Sequence, residues 1–319
     1  AAVIGGGGVT AMTAVYLGAS LVRLGYAVLA YLRLVARLEV AGGSWRFGRS
    51  RLRRLAGESF PVLYWQLVSL AYYKVDVLLL GVFRTESEVG WYAAAYKLFE
   101  VPVMFGWMAV QALLPLMSTM FHESKDSLAV LFEKAMKYIW MVGLGVGALT
   151  AVLAGPVIRI LLPPEYEPAI NVLRVLGAAL PLMVGCTLFG NLFISMEVQR
   201  RMAKWSLLSL AVNAGVNLAL IPRFGVMGAA VTTLVSEVFS FILFYGFTAH
   251  FLGRLRLGEV FLAPALAAAV SFAVMLLLAG IWTGLAVIAG GILYPAGLVA
   301  LSVISQEDLG YFRRLRAWK

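Results

Sequence analysis

Long apolar stretches follow one another along this chain, separated by short polar gaps. Nine stretches are long enough to cross a bilayer, because about 20 helical residues span a hydrocarbon core of about 30 Å. They lie at about 9–32, 61–82, 90–119, 137–162, 169–196, 203–222, 226–249, 260–280 and 283–304. The pattern therefore predicts an all-α, polytopic membrane helical bundle of about nine transmembrane helices.

The basic residues alternate between the gaps. Nineteen of the 26 Lys and Arg follow the first, third, fifth, seventh and ninth stretches, and the intervening gaps hold only Arg84 and Arg223. Lys and Arg in short loops mark the cytoplasmic side of a membrane. The sequence therefore predicts a multi-pass protein of the cell (inner) membrane. Its C-terminus is expected to be cytoplasmic, and its first helix is expected to begin outside.

Composition supports the membrane assignment. The chain is 62% hydrophobic and 13% charged, with a mean hydropathy of +0.90 and a formal net charge of +10. Because the positive charge borders alternate spans, we expect membrane lipids as its partners and no nucleic acid. The single cysteine, Cys186, has no second cysteine for an intrachain disulfide and is expected to pack between helices.

The start of the chain is unusual for a membrane protein. It begins at Ala1 with an apolar, glycine-rich piece that has neither the basic segment nor the cleavage site of a signal peptide. Nine spans with an outside start indicate a fragment that lacks its N-terminal part. The basic gap 33–60 predicts a cytoplasmic linker with an interfacial helix in its second half. Ser59 followed by Pro61 predicts the start of the second span.

Six ionisable residues fall at membrane depth, where charge is costly and often functional. They are Arg23, Lys74, Asp76, Lys97, Glu100 and Glu237. Lys97 and Glu100 are three residues apart and can pair along one helix, whereas the two-residue spacing of Lys74 and Asp76 puts them on different faces. Two interpretations remain open. The charges can form structural pairs between helices, such as Asp76 with Lys97, or they can line a substrate path.

Uncharged polar residues at helical spacing extend this pattern. Tyr92, Tyr96 and Glu100 recur every four residues on the third span, and Asn213 and Asn217 do so on the sixth. Such stripes are typical of helices that face a bundle interior or a wet cavity.

Motifs for enzyme chemistry are absent from the sequence. The two histidines, His122 and His250, lie at predicted cytoplasmic borders, and no HExxH, GxSxG, CxxC or P-loop pattern occurs. No Asp-rich cluster is present that could hold Mg²⁺ at the membrane face. We therefore expect a protein that is not an enzyme and needs no cofactor.

Several motifs, in order, resemble a known family. YYKVDVLLLG (72–81), EVGWYAAAYKLFEVPVM (88–104), ALLPLMS (112–118), VIRILLPPEYEPAINVLRVLG (157–177) and NAGVNLALIPRFGVMGAAVTTLVSE (213–237) are similar to segments of polysaccharide flippases. These flippases belong to the multidrug/oligosaccharidyl-lipid/polysaccharide exporter superfamily and include O-antigen and lipid-linked oligosaccharide transporters. The resemblance covers about 61–250.

The resemblance implies two bundles of about six helices around a central cavity. Residues 1–32 would hold the last helix of a truncated first bundle, and 33–60 the cytoplasmic linker. Residues 61–250 would form the second six-helix bundle. Residues 251–319 would add two transmembrane helices and a basic cytoplasmic tail.

The resemblance also implies an activity, the transfer of a polyprenyl-diphosphate-linked oligosaccharide from the cytoplasmic to the outer leaflet by alternating access. Cations suit the diphosphate, and tyrosine and asparagine suit the sugar. The predicted substrate-binding residues are Arg23, Lys74, Lys97, Tyr92, Tyr96, Asn213 and Asn217, and the predicted ion-coupling acids are Asp76, Glu100 and Glu237. A glycan polymerase or ligase is a further expected partner.

Three alternatives remain from the sequence. A multidrug/cation antiporter of the same superfamily would favour acidic and aromatic cavity residues, which the two lysines oppose. A lipid II flippase would be expected to carry several arginines in the first bundle. A membrane-embedded glycosyl-polymer enzyme is disfavoured by the lack of paired acids and metal ligands.

Overall fold

The computed structural model of the protein describes residues 9–37, 49–253 and 257–303, and it is helical almost throughout. The helices are α1 (Val9–Arg37), α2 (Arg49–Phe83), α3 (Glu86–Glu123), α4 (Lys125–Leu161), α5 (Ala169–Ser195), α6 (Gln199–Leu252), α7 (Leu257–Ala279) and α8 (Thr283–Ala300), with a 3₁₀ turn at Pro164–Tyr166. Eight of these segments are long and apolar enough to cross a membrane. The prediction of an all-α membrane bundle is confirmed.

The chain divides into two compact units, residues 1–57 and 58–319. In the first unit, α1 presents an exposed side chain at every position from 13 to 30. Helix α2 begins at Arg49 in this unit, so the helix start predicted at Ser59 and Pro61 is wrong by about ten residues. The rest of the predicted linker, 38–48, and the basic tail, 304–319, lie outside the described residues.

Helix α5 is the centre of the second unit. It packs against α3, α4 and α6, and 18 of its 27 residues are buried. Helices α7 and α8 pack against each other and against α4. The core around α5 is apolar and aromatic, with fully buried Phe132 and Phe189 in contact at 5.1 Å between ring centroids.

Small residues bring α4 and α5 close together. A Cβ on Gly143 would lie 2.9 Å from the Cα of Pro181, and a Cβ on Gly177 would lie 2.8 Å from the carbonyl oxygen of Gly147. Membrane helices gain van der Waals contact when small residues let their backbones approach. Gly143 and Gly147 therefore allow α4 to pack closely against α5.

Helix α6 consists of two arms that fold back on each other. It has 54 residues, which would measure about 80 Å if straight, far more than a bilayer core. The backbone leaves helical geometry at Gly225, where φ is +57° and ψ is −135°. A Cβ on Gly228 would lie 2.6 Å from the carbonyl oxygen of Leu220, as only a chain reversal permits. The first arm (199–224) and second arm (226–252) therefore match the sixth and seventh predicted spans.

Several turns meet at one end of the second unit. The Arg84 guanidinium, between α2 and α3, donates hydrogen bonds to the carbonyl oxygens of Ile221 (2.9 and 3.0 Å) and Pro222 (2.7 Å) in the α6 turn. Thr85 then caps α3 by a reciprocal capping box with Glu88. At the opposite end, Phe193 of α5 packs on Phe247 of the second arm of α6, with ring centroids 5.3 Å apart.

Candidate functional site

A buried carboxylate joins three helices inside the second unit. Asp76 of α2 is only 4% exposed and accepts a hydrogen bond from the Tyr92 hydroxyl of α3. The same hydroxyl lies 3.3 Å from Oγ1 of Thr233, on the second arm of α6. The Oδ1 atom of Asp76 has no hydrogen-bond partner among the described residues. Because ionised groups are costly in hydrocarbon, this free oxygen marks a position where a cation or a proton can be accommodated.

A second buried acid lies beside a cavity of about 370 Å³ enclosed by α2, α3, α5 and both arms of α6. Glu237, on the second arm of α6, is 2% exposed and accepts a hydrogen bond from the Tyr72 hydroxyl at 3.1 Å. The Cys186 thiol lies 3.8 Å from the Glu237 carbonyl oxygen. The cysteine therefore packs between helices.

Two predicted polar residues pair with each other on the first arm of α6. Asn217 donates through Nδ2 to Oδ1 of Asn213 at 3.0 Å, and both side chains are buried. The Oδ1 atom of Asn217 has no partner among the described residues. The i, i+4 spacing thus places both amides inside the bundle.

The two predicted lysines are on the outside of the second unit. Lys74 of α2 is exposed. The Lys97 ammonium of α3 is 2.8 Å from Oε2 of Glu100, and its side chain is 81% exposed. The predicted Lys97–Glu100 pair is confirmed, as is the placement of Lys74 and Asp76 on different faces. The interhelical pair suggested for Asp76 and Lys97 is wrong, because Asp76 bonds Tyr92 instead.

The remaining predicted residues differ in environment. Arg23 is exposed on α1, in the first unit. Tyr96 is buried on α3 and packs near Tyr92, with ring centroids 5.8 Å apart. The structure thus brings Asp76 and Tyr92 together, and Asn213 with Asn217.

Sequence reasoning missed several polar residues of the interior, among them Tyr72, Thr233, Ser209 and Ser240. A signal was present, because Ser206, Ser209, Asn213 and Asn217 follow helical spacing on the first arm of α6. Thr233, Glu237 and Ser240 do so on the second. Each arm carries a stripe of polar residues, and these stripes indicate that both arms place a polar face inside the bundle.

The chain matches the family described as lipid II flippase MurJ over residues 11–300. Among curated proteins, it is 24% identical over 166 residues to the probable low-salt glycan biosynthesis flippase Agl15 of Haloferax volcanii, covering 51% of this chain and 34% of that protein. It is 26% identical over 183 residues to the probable flippase AglR of the same organism, covering 56% and 38%. The chain thus spans little more than a third of the length of these relatives.

Two solved structures share the fold. A lipid II flippase MurJ in an inward closed conformation superposes with a TM-score of 0.67 and 13% identity, covering 85% of this chain and 58% of that one. A MOP superfamily transporter from Pyrococcus furiosus superposes with a TM-score of 0.53 and 15% identity, covering 76% and 63%. The chain therefore shares the helical fold of these two structures.

Proposed function

The chain belongs to the lipid II flippase MurJ family, and we propose on this premise that it takes part in flipping a polyprenyl-diphosphate-linked oligosaccharide across the cell (inner) membrane. The proposed direction is from the cytoplasmic to the outer leaflet by alternating access, with the C-terminus in the cytoplasm and no catalytic step. A glycan polymerase or ligase would use the delivered substrate outside. The observation that carries the proposal is the pair of exposed lysines within the spans α2 and α3.

The lysines suit a diphosphate because of their depth and surroundings. Lys74 and Lys97 lie on helices joined by the Tyr92–Asp76 hydrogen bond, and both side chains point away from the bundle core. An ammonium at membrane depth is costly unless it faces water or an anion. A diphosphate would supply the anion through charge-assisted hydrogen bonds.

The other predicted substrate residues take supporting roles in this proposal. Arg23, exposed on α1 of the first unit, stays a predicted substrate-binding residue. Tyr92 and Tyr96 are buried on α3, the helix that carries Lys97, and Asn213 and Asn217 are buried on the first arm of α6. Their hydroxyl and amide groups would meet the sugar only in a conformation in which the bundle opens.

The three predicted coupling acids differ in how their charge is balanced. Glu100 already has the Lys97 ammonium. Glu237 accepts from the Tyr72 hydroxyl. Asp76 accepts from the Tyr92 hydroxyl on one oxygen, and its other oxygen has no hydrogen-bond partner among the described residues. We therefore propose Asp76 as the coupling acid, with neutral hydroxyl oxygens such as that of Thr233 beside it. Hard monovalent cations and protons are the ions such oxygens accept.

Binding of a fluorescent polyprenyl-diphosphate disaccharide to the protein in nanodiscs tests the assignment. Lys74→Gln with Lys97→Gln should weaken binding at least about tenfold, or about 1.4 kcal/mol. Lys125→Gln with Lys204→Gln removes two exposed lysines elsewhere and should leave affinity unchanged. Lipid II serves as the second substrate, because the family match favours it and its diphosphate is the same group.

Two results would reject the assignment. One is equal binding by the Lys74/Lys97 double variant and the wild type. The other is a loss of folded protein in Lys97→Gln that Glu100→Gln restores, which would make the lysine a structural partner of Glu100 only. Equal affinity for a polyprenyl monophosphate carrier would remove the diphosphate from the proposal.

A further inference from the structure

The cavity beside Glu237 carries a site that the flipping of a phosphate head group does not use. Its volume of about 370 Å³ lies in the range of pockets that hold small organic molecules. The exposed amides of Gln66 on α2 and Gln111 on α3 line it and give it a polar opening. An anionic head group does not suit this cavity, because the acidic side chain of Glu237 lines it.

Glu237 is the one charged side chain among the described residues that line the cavity, and no described Lys, Arg or His faces it there. The carboxylate is 2% exposed, and its hydrogen-bond donor is the neutral Tyr72 hydroxyl. A buried carboxylate without a cation is strongly unfavourable. Either a proton or a cation relieves this cost, so the cavity favours a cationic ligand over an anionic one.

Aromatic rings form the walls of the cavity. Tyr73 and Trp107 meet edge to face at 5.8 Å on one side, and Phe193 and Phe244 do the same at 5.8 Å on the other. Aromatic faces attract ammonium groups through their quadrupoles, and more strongly when water is excluded. These walls favour an organic ammonium ion over a bare metal ion, which would need oxygen ligands on several sides.

Three residues that line the cavity each carry a buried polar atom that has no hydrogen-bond partner among the described residues. The atoms are Oγ of Ser209, Oγ of Ser240 and Nε1 of Trp107. The indole nitrogen can only donate, whereas the hydroxyls can donate or accept. A ligand that carries a hydroxyl besides its ammonium would satisfy groups of both kinds.

We propose that this cavity binds a small organic ammonium ion that bears a hydroxyl group. Glu237 is its counter-ion, the Tyr73–Trp107 and Phe193–Phe244 walls hold its alkyl groups, and Ser209, Ser240 and Trp107 meet its hydroxyl. The site does not include Lys74 or Lys97. Its test is therefore separate from the test of the proposed flipping of a lipid-linked glycan.

Choline and its neutral isostere 3,3-dimethyl-1-butanol form a matched pair of probes with the same shape and hydroxyl. Competition against radiolabelled choline on the protein in phosphatidylglycerol nanodiscs should show choline binding at least about tenfold more tightly. Glu237→Gln should reduce this ratio to about one, while Glu165→Gln, at an exposed acid in the 3₁₀ turn, should not change it. Trp107→Leu should weaken choline binding more than Trp107→Phe, which keeps a ring.

Replacing part of the lipid by phosphatidylethanolamine identifies the source of the ammonium. Weaker apparent choline binding would indicate that the natural ligand is a lipid head group. Unchanged binding would indicate that the natural ligand is a free solute. Both results agree with an ammonium site. Equal affinity for choline and the neutral isostere in the wild type would overturn the proposal without any variant having to fold. So would choline binding that survives in a folded Glu237→Gln protein, or binding of glucose in preference to choline.

Discussion

At the residue scale, the described acids inside the spans differ in how their charge is offset. Glu100 uses a lysine one helical turn away, at 2.8 Å. Asp76 and Glu237 are buried and each accepts from a tyrosine hydroxyl. A neutral donor offsets only part of the cost of burying an ionised carboxylate. The two tyrosine-bound acids are therefore the positions in the bundle where a bound cation gains most.

Substitution of Tyr92 tests how much the Tyr92–Asp76 hydrogen bond contributes to stability. Removing its hydroxyl in Tyr92→Phe takes a hydrogen bond away from the buried Asp76 carboxylate, and we expect the free energy of unfolding to fall by about 1–3 kcal/mol. Adding Asp76→Leu removes the orphaned carboxylate and should recover part of the loss. Tyr16→Phe, at an exposed tyrosine of α1, is the control for loss of a hydroxyl.

Denaturant unfolding of the detergent-solubilised protein measures these differences. The interpretation fails if Tyr92→Phe costs no more than Tyr16→Phe, or if the double variant is less stable than Tyr92→Phe alone.

The sequence alone places the polar residues within the predicted spans, but it does not show which residues most of them contact. Lys97 and Glu100 were paired correctly because three-residue spacing on a helix fixes their distance. Asp76 could have met any of several residues on other helices, and only the packing of α2 on α3 selects Tyr92. Tyr72 and Glu237 are 165 residues apart in sequence, so no local spacing indicates their contact.

At the element scale, the reversal within α6 depends on one backbone position. Gly225 has φ of +57° with ψ of −135°, a conformation that is strained for a residue with a Cβ. The space is filled as well, because a Cβ there would lie 2.6 Å from Oε1 of Glu88. The Arg84 guanidinium binds the last carbonyl oxygens before the turn and stabilises its position against α3.

Gly225→Ala should therefore destabilise the protein by about 1–3 kcal/mol. Gly215→Ala is a matched control, because Gly215 lies in the first arm of the same element with no neighbouring atom within 4 Å of an added Cβ. That change should be neutral or slightly stabilising, since alanine has the higher helix propensity. Thermal unfolding of both variants compares them directly, and equal stability would contradict the role given to the turn.

Apolar length and turn residues were enough to place most elements, including the reversal at Pro222 and Gly225. They failed at the start of α2, which begins at Arg49. A serine followed by a proline is compatible with a helix start, yet it does not force one when the preceding basic segment can also be helical. Local signals rank possible boundaries, and contacts beyond the local segment decide between them.

At the scale of the whole molecule, the turns of the second unit separate into two groups. Arg84 joins the α2–α3 and α6 turns, and a Cβ on Gly90, near the start of α3, would lie 3.9 Å from the Tyr166 hydroxyl. These turns follow even-numbered spans and hold few basic residues. The opposite end carries Lys125 at the α3–α4 turn and Lys204 near the start of α6. The contacts between turns and the distribution of basic residues thus divide the second unit into the same two ends.

The distribution of Lys and Arg predicts that the basic end lies in the cytoplasm, and cysteine labelling in intact cells tests this prediction. A cysteine at Glu86, an exposed position beside the capped start of α3, should react with a membrane-impermeant maleimide. One at Ser127, exposed in the first turn of α4, should react only after the cells are opened. The unaltered chain is the blank, because Cys186 lies inside the bundle. If Ser127→Cys labels in intact cells while Glu86→Cys does not, the protein has the opposite orientation. The proposed direction of flipping would then be reversed, because Lys74 and Lys97 would meet their substrate from the other leaflet.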